Sequence, residues 1–269
     1  MPHNNPRPVG ILDSGFGGLS VMRALRDALP SESLVFAADN AGAPWGDKPL
    51  AYIRRRCFAL VDALVAMNVK ALVVACNTAT AVCIDEMRRR WNMPIVGIEP
   101  AVRPAAALTQ SGVIAVLATR ATLHSPRYLE LKRRFAGHVT VLDTPGTGLV
   151  ECVESGDLSG EAARRAVTEA LAPALARRAD TIVLGCTHYP FLTPLMKAVA
   201  GPGVRFIDPA PAVAKELARR LAALGIDAPN GHAPQYAYHS TGPDATRSAV
   251  IARLAGPQAR LAALSIAET

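Results

Sequence analysis

Ala71-Leu-Val-Val-Ala-Cys76-Asn77-Thr78 and Thr181-Ile-Val-Leu-Gly-Cys186-Thr187-His188 share one plan: an apolar run of strand length, a small residue, a cysteine, then polar residues that open a helix. An apolar run bounded in this way reads as a strand buried on both faces, the kind that builds parallel sheets. Strands are read at residues 9–12, 34–38, 71–75, 95–98, 113–118, 139–142, 181–185, 204–207 and 236–239. Longer Ala/Leu/Arg stretches lie between them. In residues 50–67, for example, Ile53, Cys57, Leu60, Leu64 and Met67 recur at spacings of three and four, the signature of one buried helical stripe. Strand and helix in alternation predict an α/β protein with mostly parallel sheets.

Proline marks two breaks. Glu99-Pro100 and Asp208-Pro209 each follow a strand-like run, and proline drives the preceding residue away from helix. The expected organisation is two similar three-layer α/β domains with a cleft between them. The first is discontinuous, residues 1–98 plus 208–269, and the second, 99–207, is inserted into it. The tail is read as a helix, the strand at 236–239 and further helix.

Composition removes several classes. The 269 residues are 50% hydrophobic and 19% charged, which excludes disordered and collagen-like chains. No apolar run approaches the roughly 20 residues of a membrane helix, and no apolar signal segment precedes the first strand, so a cytoplasmic protein with no membrane association is expected. The net charge is +7, from 29 Lys plus Arg against 22 Asp plus Glu. The basic residues come as pairs and triplets scattered over presumptive helices without interleaved aromatics, so they read as solvated faces and nucleic acid is not an expected partner. Five cysteines without a CxxC pair point to neither a disulfide framework nor a zinc site, and the histidines are not at ligand spacing, so no metal is expected.

Chemistry is therefore sought at Cys76 and Cys186. Ligands collect at the carboxyl ends of strands in open α/β sheets, and a helix N-terminus there favours a thiolate. One cysteine so placed reads more readily as a small buried residue; two in matched contexts point to function. Cys57, Cys83 and Cys152 sit in helical patterns and read as core. Two acid/base groups facing one carbon from opposite sides suit stereoinversion, one taking a proton and the other returning one. The loop Asp13-Ser14-Gly15-Phe16-Gly17-Gly18-Leu19-Ser20 allows close backbone approach to an anion but lacks a nucleotide-binding spacing. Asp13 is positioned to bind a substrate ammonium, to assist Cys76, or to cap the next helix. Trp45, in Pro44-Trp45-Gly46, reads equally as a packed lid or as loop filling. Thr119 and Thr122 offer donors to a carboxylate, and His188 stands two residues from Cys186.

The segments DSGFGGLSV (13–21), APWG (43–46), VVACNTAT (73–80), GIEPA (97–101), ATRATLHS (118–125) and LGCTHYP (184–190) together resemble glutamate racemase, in order and over nearly the whole chain. The resemblance implies cofactor-independent conversion of L- to D-glutamate for peptidoglycan, carried out by a homodimer. It implies Cys76 and Cys186 as the catalytic acid/bases, with Asp13 and His188 as their assistants. Asp13, Ser14, Trp45, Gly46, Asn77, Thr78, Thr187 and His188 fall on its substrate-binding positions. Thr119, Thr122 and Glu151 match further pocket residues. Two departures stand out: Pro-Trp-Gly replaces the more usual Pro-Tyr-Gly, and residues 144–151 differ from the usual stretch before the glutamate. The alternatives are a racemase of another acidic amino acid such as aspartate, and a regulatory protein with a second role on DNA or a DNA enzyme.

Overall fold

Five-residue strands with no polar interior need apolar cover on both faces, and the computed structural model, which describes residues 4–267, supplies it with two separate sheets. The first contains β1 (Val9–Asp13), β2 (Leu34–Ala38), β3 (Ala71–Val74), β4 (Ile95–Gly97), β9 (Tyr236–Ser240) and β10 (Leu261–Ala263), in the order β10-β9-β2-β1-β3-β4. The second contains β5 (Val113–Ala118), β6 (Thr140–Pro145), β7 (Thr181–Gly185) and β8 (Arg205–Ile207), in the order β6-β5-β7-β8. Every pairing is parallel. The protein is thus built of two parallel-sheet α/β domains.

The helices cover both faces. Ile11, Phe36 and Val73 point into a core shared with α1 (Leu19–Ala28) and α10 (Ala210–Leu224), and this core continues through α8 (Glu161–Ala176) and α9 (Thr193–Ala200) to Ala115, Leu117, Ile182 and Leu184 of the second sheet. Leu12, Val35, Leu72 and Val74 face the other way, onto α2 (Leu50–Ala66) and α3 (Asn77–Arg90). Ile114, Val116 and Val183 meet α4 (Val102–Leu108) and α6 (Pro126–Phe135). The expected stripe of α2 is buried at Ile53, Cys57, Leu60 and Leu64, while Met67 is the half-buried residue that ends the helix. Cys57 and Cys83 are core residues as expected, whereas Cys152 is only half-buried.

In each sheet the strand order reverses once, between β2-β1 and β3 in the first and between β6-β5 and β7 in the second. Chains leave the neighbouring strands at such a point toward opposite faces, which opens a crevice at their carboxyl ends. Asp13 ends β1 and Cys76 follows β3; Thr119 follows β5 and Cys186 follows β7. The resemblance between the two cysteine segments is thus a correspondence of place in two equivalent sheets.

Three sequence expectations are corrected. β10 lies where helix was expected: Leu261-Ala262-Ala263 has helical composition, but its backbone pairs with Tyr238–Ser240. β6 occupies Thr140–Pro145 and so runs past its apolar residues, because it is an edge strand paired only with β5, where Pro145 forfeits no ladder bond. Aromatics do meet the arginines once the chain folds: Arg90 lies over Phe58 and Trp91 at 5.4 and 4.6 Å, and it also reaches Asp62 at 3.4 Å.

The amino end of the first sheet is pinned by a buried ion pair. Lys70 Nζ lies 2.6 Å from Glu32 Oε2, with side-chain exposures of 0% and 3%. Lys70 also donates to the Asn5 carbonyl and Glu32 accepts from Ala228 N–H, so four distant segments share two charges. Removing one partner strands the other in an apolar interior. Lys70→Met is expected to lower the unfolding free energy by about 3–5 kcal/mol in urea titration. Adding Glu32→Gln, which keeps an acceptor for Ala228, should recover part of it. A single variant within about 1 kcal/mol of the parent would show that the pair contributes little.

Candidate active site

The loop after β1 turns sharply because Asp13 Oδ1 accepts the Gly15 N–H at 2.9 Å, and it continues into a 3-10 turn at Phe16–Gly18. Asp13 therefore shapes this loop and does not cap α1. The glycines make room for the other domain. A Cβ on Gly15 would lie 2.2 Å from Glu154 Oε1, and one on Gly17 would lie 2.4 Å from both Thr187 Oγ1 and His188 Nδ1. The anion that this loop receives is the protein's own: Phe16 N–H donates to Glu154 Oε1 at 2.5 Å. Thr187 Oγ1 donates to Asp13 Oδ2 at 2.9 Å, and Ser20 Oγ donates to the Thr187 carbonyl at 2.8 Å, closing the same seam.

Cys76 is the N-cap of α3, where its sulfur accepts the Ala79 N–H at 3.4 Å and lies 3.7 Å from Ser14 Oγ. The sequence leads one to expect a thiol made more acidic by the helix. Instead, burial first and the Asp13 carboxylate second push its pKa up to about 12, because a desolvated sulfur beside a negative charge holds its proton. Burial likewise raises the Asp13 carboxyl.

Cys186 has different surroundings. It leads into a bend and a 3-10 turn at Tyr189–Leu192 before α9, so no α-helix begins at this cysteine. Its sulfur lies 3.5 Å from His188 Nδ1, and His188 Nε2 lies 2.7 Å from Glu154 Oε1. Burial opposes a charge on this imidazole, but the hydrogen bonds to Cys186 and Glu154 outweigh it and raise His188 well above its ordinary value. These surroundings favour a proton on the ring, with Cys186 facing one nitrogen and Glu154 the other.

Both sulfurs line one cavity of about 350 Å3, together with Ser14, Trp45, Gly46, Asn77, Thr78, Thr119, Thr122, Glu151, Thr187 and His188. Of the residues named from sequence, Asp13 alone stands behind the wall. Asn77 lines this cavity and is 5% exposed, and its Oδ1 and Nδ2 are both buried without a hydrogen-bond partner among the described residues. The hydroxyls of Thr78, Thr119 and Thr122 lie 3.0–3.5 Å from one another and form a polar cluster on the wall. The Trp45 indole N–H donates to Asp39 Oδ2 at 3.1 Å. Asp39 is also held by Arg56 and by Thr241 Oγ1 at 2.7 Å. Trp45 is thus core filling and cavity wall at once, its polar atom turned away.

Glu151 borders the cavity, but the glutamate bonded to the histidine is Glu154, one turn further along α7 (Leu149–Glu154). Sequence reading missed Glu154, Asn40 and Asp39. Glu151 and Glu154 share a helix face at a spacing of three, so periodicity cannot choose between them; only the position of the facing domain does.

Two parallel-sheet α/β domains bring two thiols from equivalent strand ends to one cavity, and the family match places the protein in a class of isomerases, the racemases. Residues 10–217 match the Asp/Glu/Hydantoin racemase family, and the chain belongs to that family. It is 47% identical over 255 residues to the glutamate racemase of Ectopseudomonas mendocina (strain ymp), covering 94% of this chain and 97% of the relative. Among solved structures, it resembles glutamate racemase isoform RacE1 from Bacillus anthracis with TM-score 0.88 and 31% identity, over 98% of both chains. It also resembles Escherichia coli glutamate racemase in complex with L-glutamate and the activator UDP-MurNAc-Ala, with TM-score 0.86 and 32% identity, over 97% of this chain and 100% of that one.

The His188 charge depends on Glu154. In Glu154→Gln the imidazole should titrate at lower pH than in the parent, as read from the His188 ring resonances by NMR. An unchanged titration would assign the raised value to Cys186 alone.

Proposed function

We propose that the chain interconverts L- and D-glutamate by proton transfer between Cys76 and Cys186, with no cofactor. The observation that carries this reading is the pair of sulfurs facing one cavity from equivalent places in two sheets, with opposite electrostatic partners. Cys76 keeps its proton and serves as the acid; Cys186, beside the His188 imidazolium, serves as the base. The base takes the α-proton, the bonding pair delocalises into the α-carboxyl group, and the Cys76 S–H protonates the opposite face. No electrons leave the substrate. The opposite protonation state handles the other enantiomer, and a substrate ammonium near Asp13 and Asn77 would offset the negative charge that disfavours a Cys76 thiolate.

Asn77 is matched to an amino acid, since its Oδ1 accepts from an ammonium and its Nδ2 donates to a carboxylate. The threonine hydroxyl cluster is assigned to the distal carboxylate. One methylene separates glutamate from aspartate and is worth about 1–3 kcal/mol in a pocket; the glutamate racemases among the relatives support the longer substrate. The same reading makes D-glutamate for peptidoglycan the product, in the cytoplasm, by a homodimer. It divides the chain at 1–98 plus 208–269 and 99–207. Among the described residues no helix is long and apolar enough to cross a membrane.

The purified protein, given glutamate in deuterated water, should exchange the α-hydrogen as it racemises. Cys76→Ala and Cys186→Ala should each lower racemisation at least about a hundredfold, the smaller end of general acid–base contributions. Racemisation retained in both single variants would reject the two-thiol mechanism, and faster turnover of aspartate would reject the substrate.

A further inference from the structure

We infer that Asn40 is a positioning residue for the second thiol, acting across the domain seam through Glu154 and His188. This rests on the two-thiol reading above. Gly242 N–H donates to Ser240 Oγ at 3.2 Å, and Ser240 Oγ donates to Asn40 Oδ1 at 2.7 Å. A carboxylate oxygen only accepts, so the end of the amide that faces Glu154 Oε2 at 3.0 Å is the donor, Nδ2, and the oxygen end is left to the Ser240 hydroxyl. The other carboxylate oxygen takes the Phe16 N–H and His188 Nε2, and His188 Nδ1 faces the Cys186 sulfur. A continuous chain of hydrogen bonds, converging on the Glu154 carboxylate, thus links the end of β9 to Cys186.

The path is a built interior feature. Ser240 is 0% exposed and Asn40 4%. The register of β2 against β9 sets Ala38 opposite Ser240, which brings the residue two beyond β2 over the end of β9. Ser240 and Gly242 lie outside the stretch, residues 10–217, that matches the racemase family, so this support is added by the C-terminal part of the chain. Asn40 does not border the cavity, so its effect reaches the substrate only through the carboxylate it holds. Without that donor Glu154 is free to turn away from His188, the imidazole loses the partner that keeps it cationic, and Cys186 loses the positive charge beside it. Cys76, on the other wall, is untouched.

The test compares the alkylation rates of Cys76 and Cys186 by iodoacetamide, read by peptide mass mapping, in the full-length parent, Asn40→Leu, Asn40→Asp and Ser240→Ala. Cys57 and Cys83, 0% and 1% exposed, report on unfolding. Asn40→Asp keeps the acceptor for Ser240 but turns an acceptor on Glu154. Cys186 labelling should fall about tenfold in both Asn40 variants, which is about 1.4 kcal/mol, and by less in Ser240→Ala, with Cys76 changed less than about twofold. Racemisation kcat should fall in the same order with KM little changed. Equal changes at both thiols, or an unchanged Cys186 rate, would overturn the inference. Should an Asn40 variant expose Cys57, Ser240→Ala decides the question by the same ratio. Racemisation by Cys76→Ala and Cys186→Ala reports the two-thiol reading separately, and the labelling ratio is independent of it.

Discussion

The Glu154 carboxylate joins the two halves of the site. It projects from the second domain into a backbone loop of the first and accepts from Phe16 N–H, Asn40 Nδ2 and His188 Nε2. The Glu154 side chain is 21% exposed, and the part taken out of water is costly unless its lone pairs are filled, so donors come to it and the chain leaves space. Gly15 and Gly17 leave that space. The seam is extended by Thr187 on Asp13, by Ser20 on the Thr187 carbonyl and by Thr78 against Thr119 and Thr122. Each of these contacts joins a residue at or beyond the carboxyl end of a strand in one sheet to a residue beyond a strand of the other, so the cavity lies where the domains meet.

The two sheets place their cysteines at equivalent points, but their neighbours make them unlike. Cys76 is shut in beside a carboxylate and Cys186 beside the His188 imidazole, whose surroundings favour its protonated form. Burial and the nearby carboxylate hold the proton on Cys76, whereas the hydrogen-bond partner of Cys186 is a ring that burial alone does not keep neutral.

Trp45 shows how a residue can serve the core and the cavity together. Its ring packs among Ile53, Cys57 and Leu60 of α2, while the cavity touches its edge. Because the indole N–H is used on Asp39, and Asp39 is held by Arg56 and Thr241, the ring contributes shape with no donor toward the ligand. The hydroxyl lost where tyrosine is more usual is therefore replaced by apolar wall.

Periodicity and strand-end chemistry made much of this protein legible from sequence. Buried parallel strands announce themselves as apolar runs, and their ends bear ligands by topology, so both thiols, His188 and the threonines were found at the cavity. β10 was not, because three residues of Leu-Ala-Ala carry no strand signal and are extended only by pairing with β9. The direction of the Cys76 shift was not, because burial and Asp13 outweigh the helix end that the sequence displays. Glu154 and Asn40 were not, because nothing in their local spacing separates them from Glu151 or from ordinary loop residues. Sequence alone determined the alternation of strands and helices and the chemistry carried at strand ends, since both follow from local backbone geometry. Tertiary structure alone decided which carboxylate faces the histidine and that Cys76 holds its proton, since both depend on charges and donors brought together from distant segments.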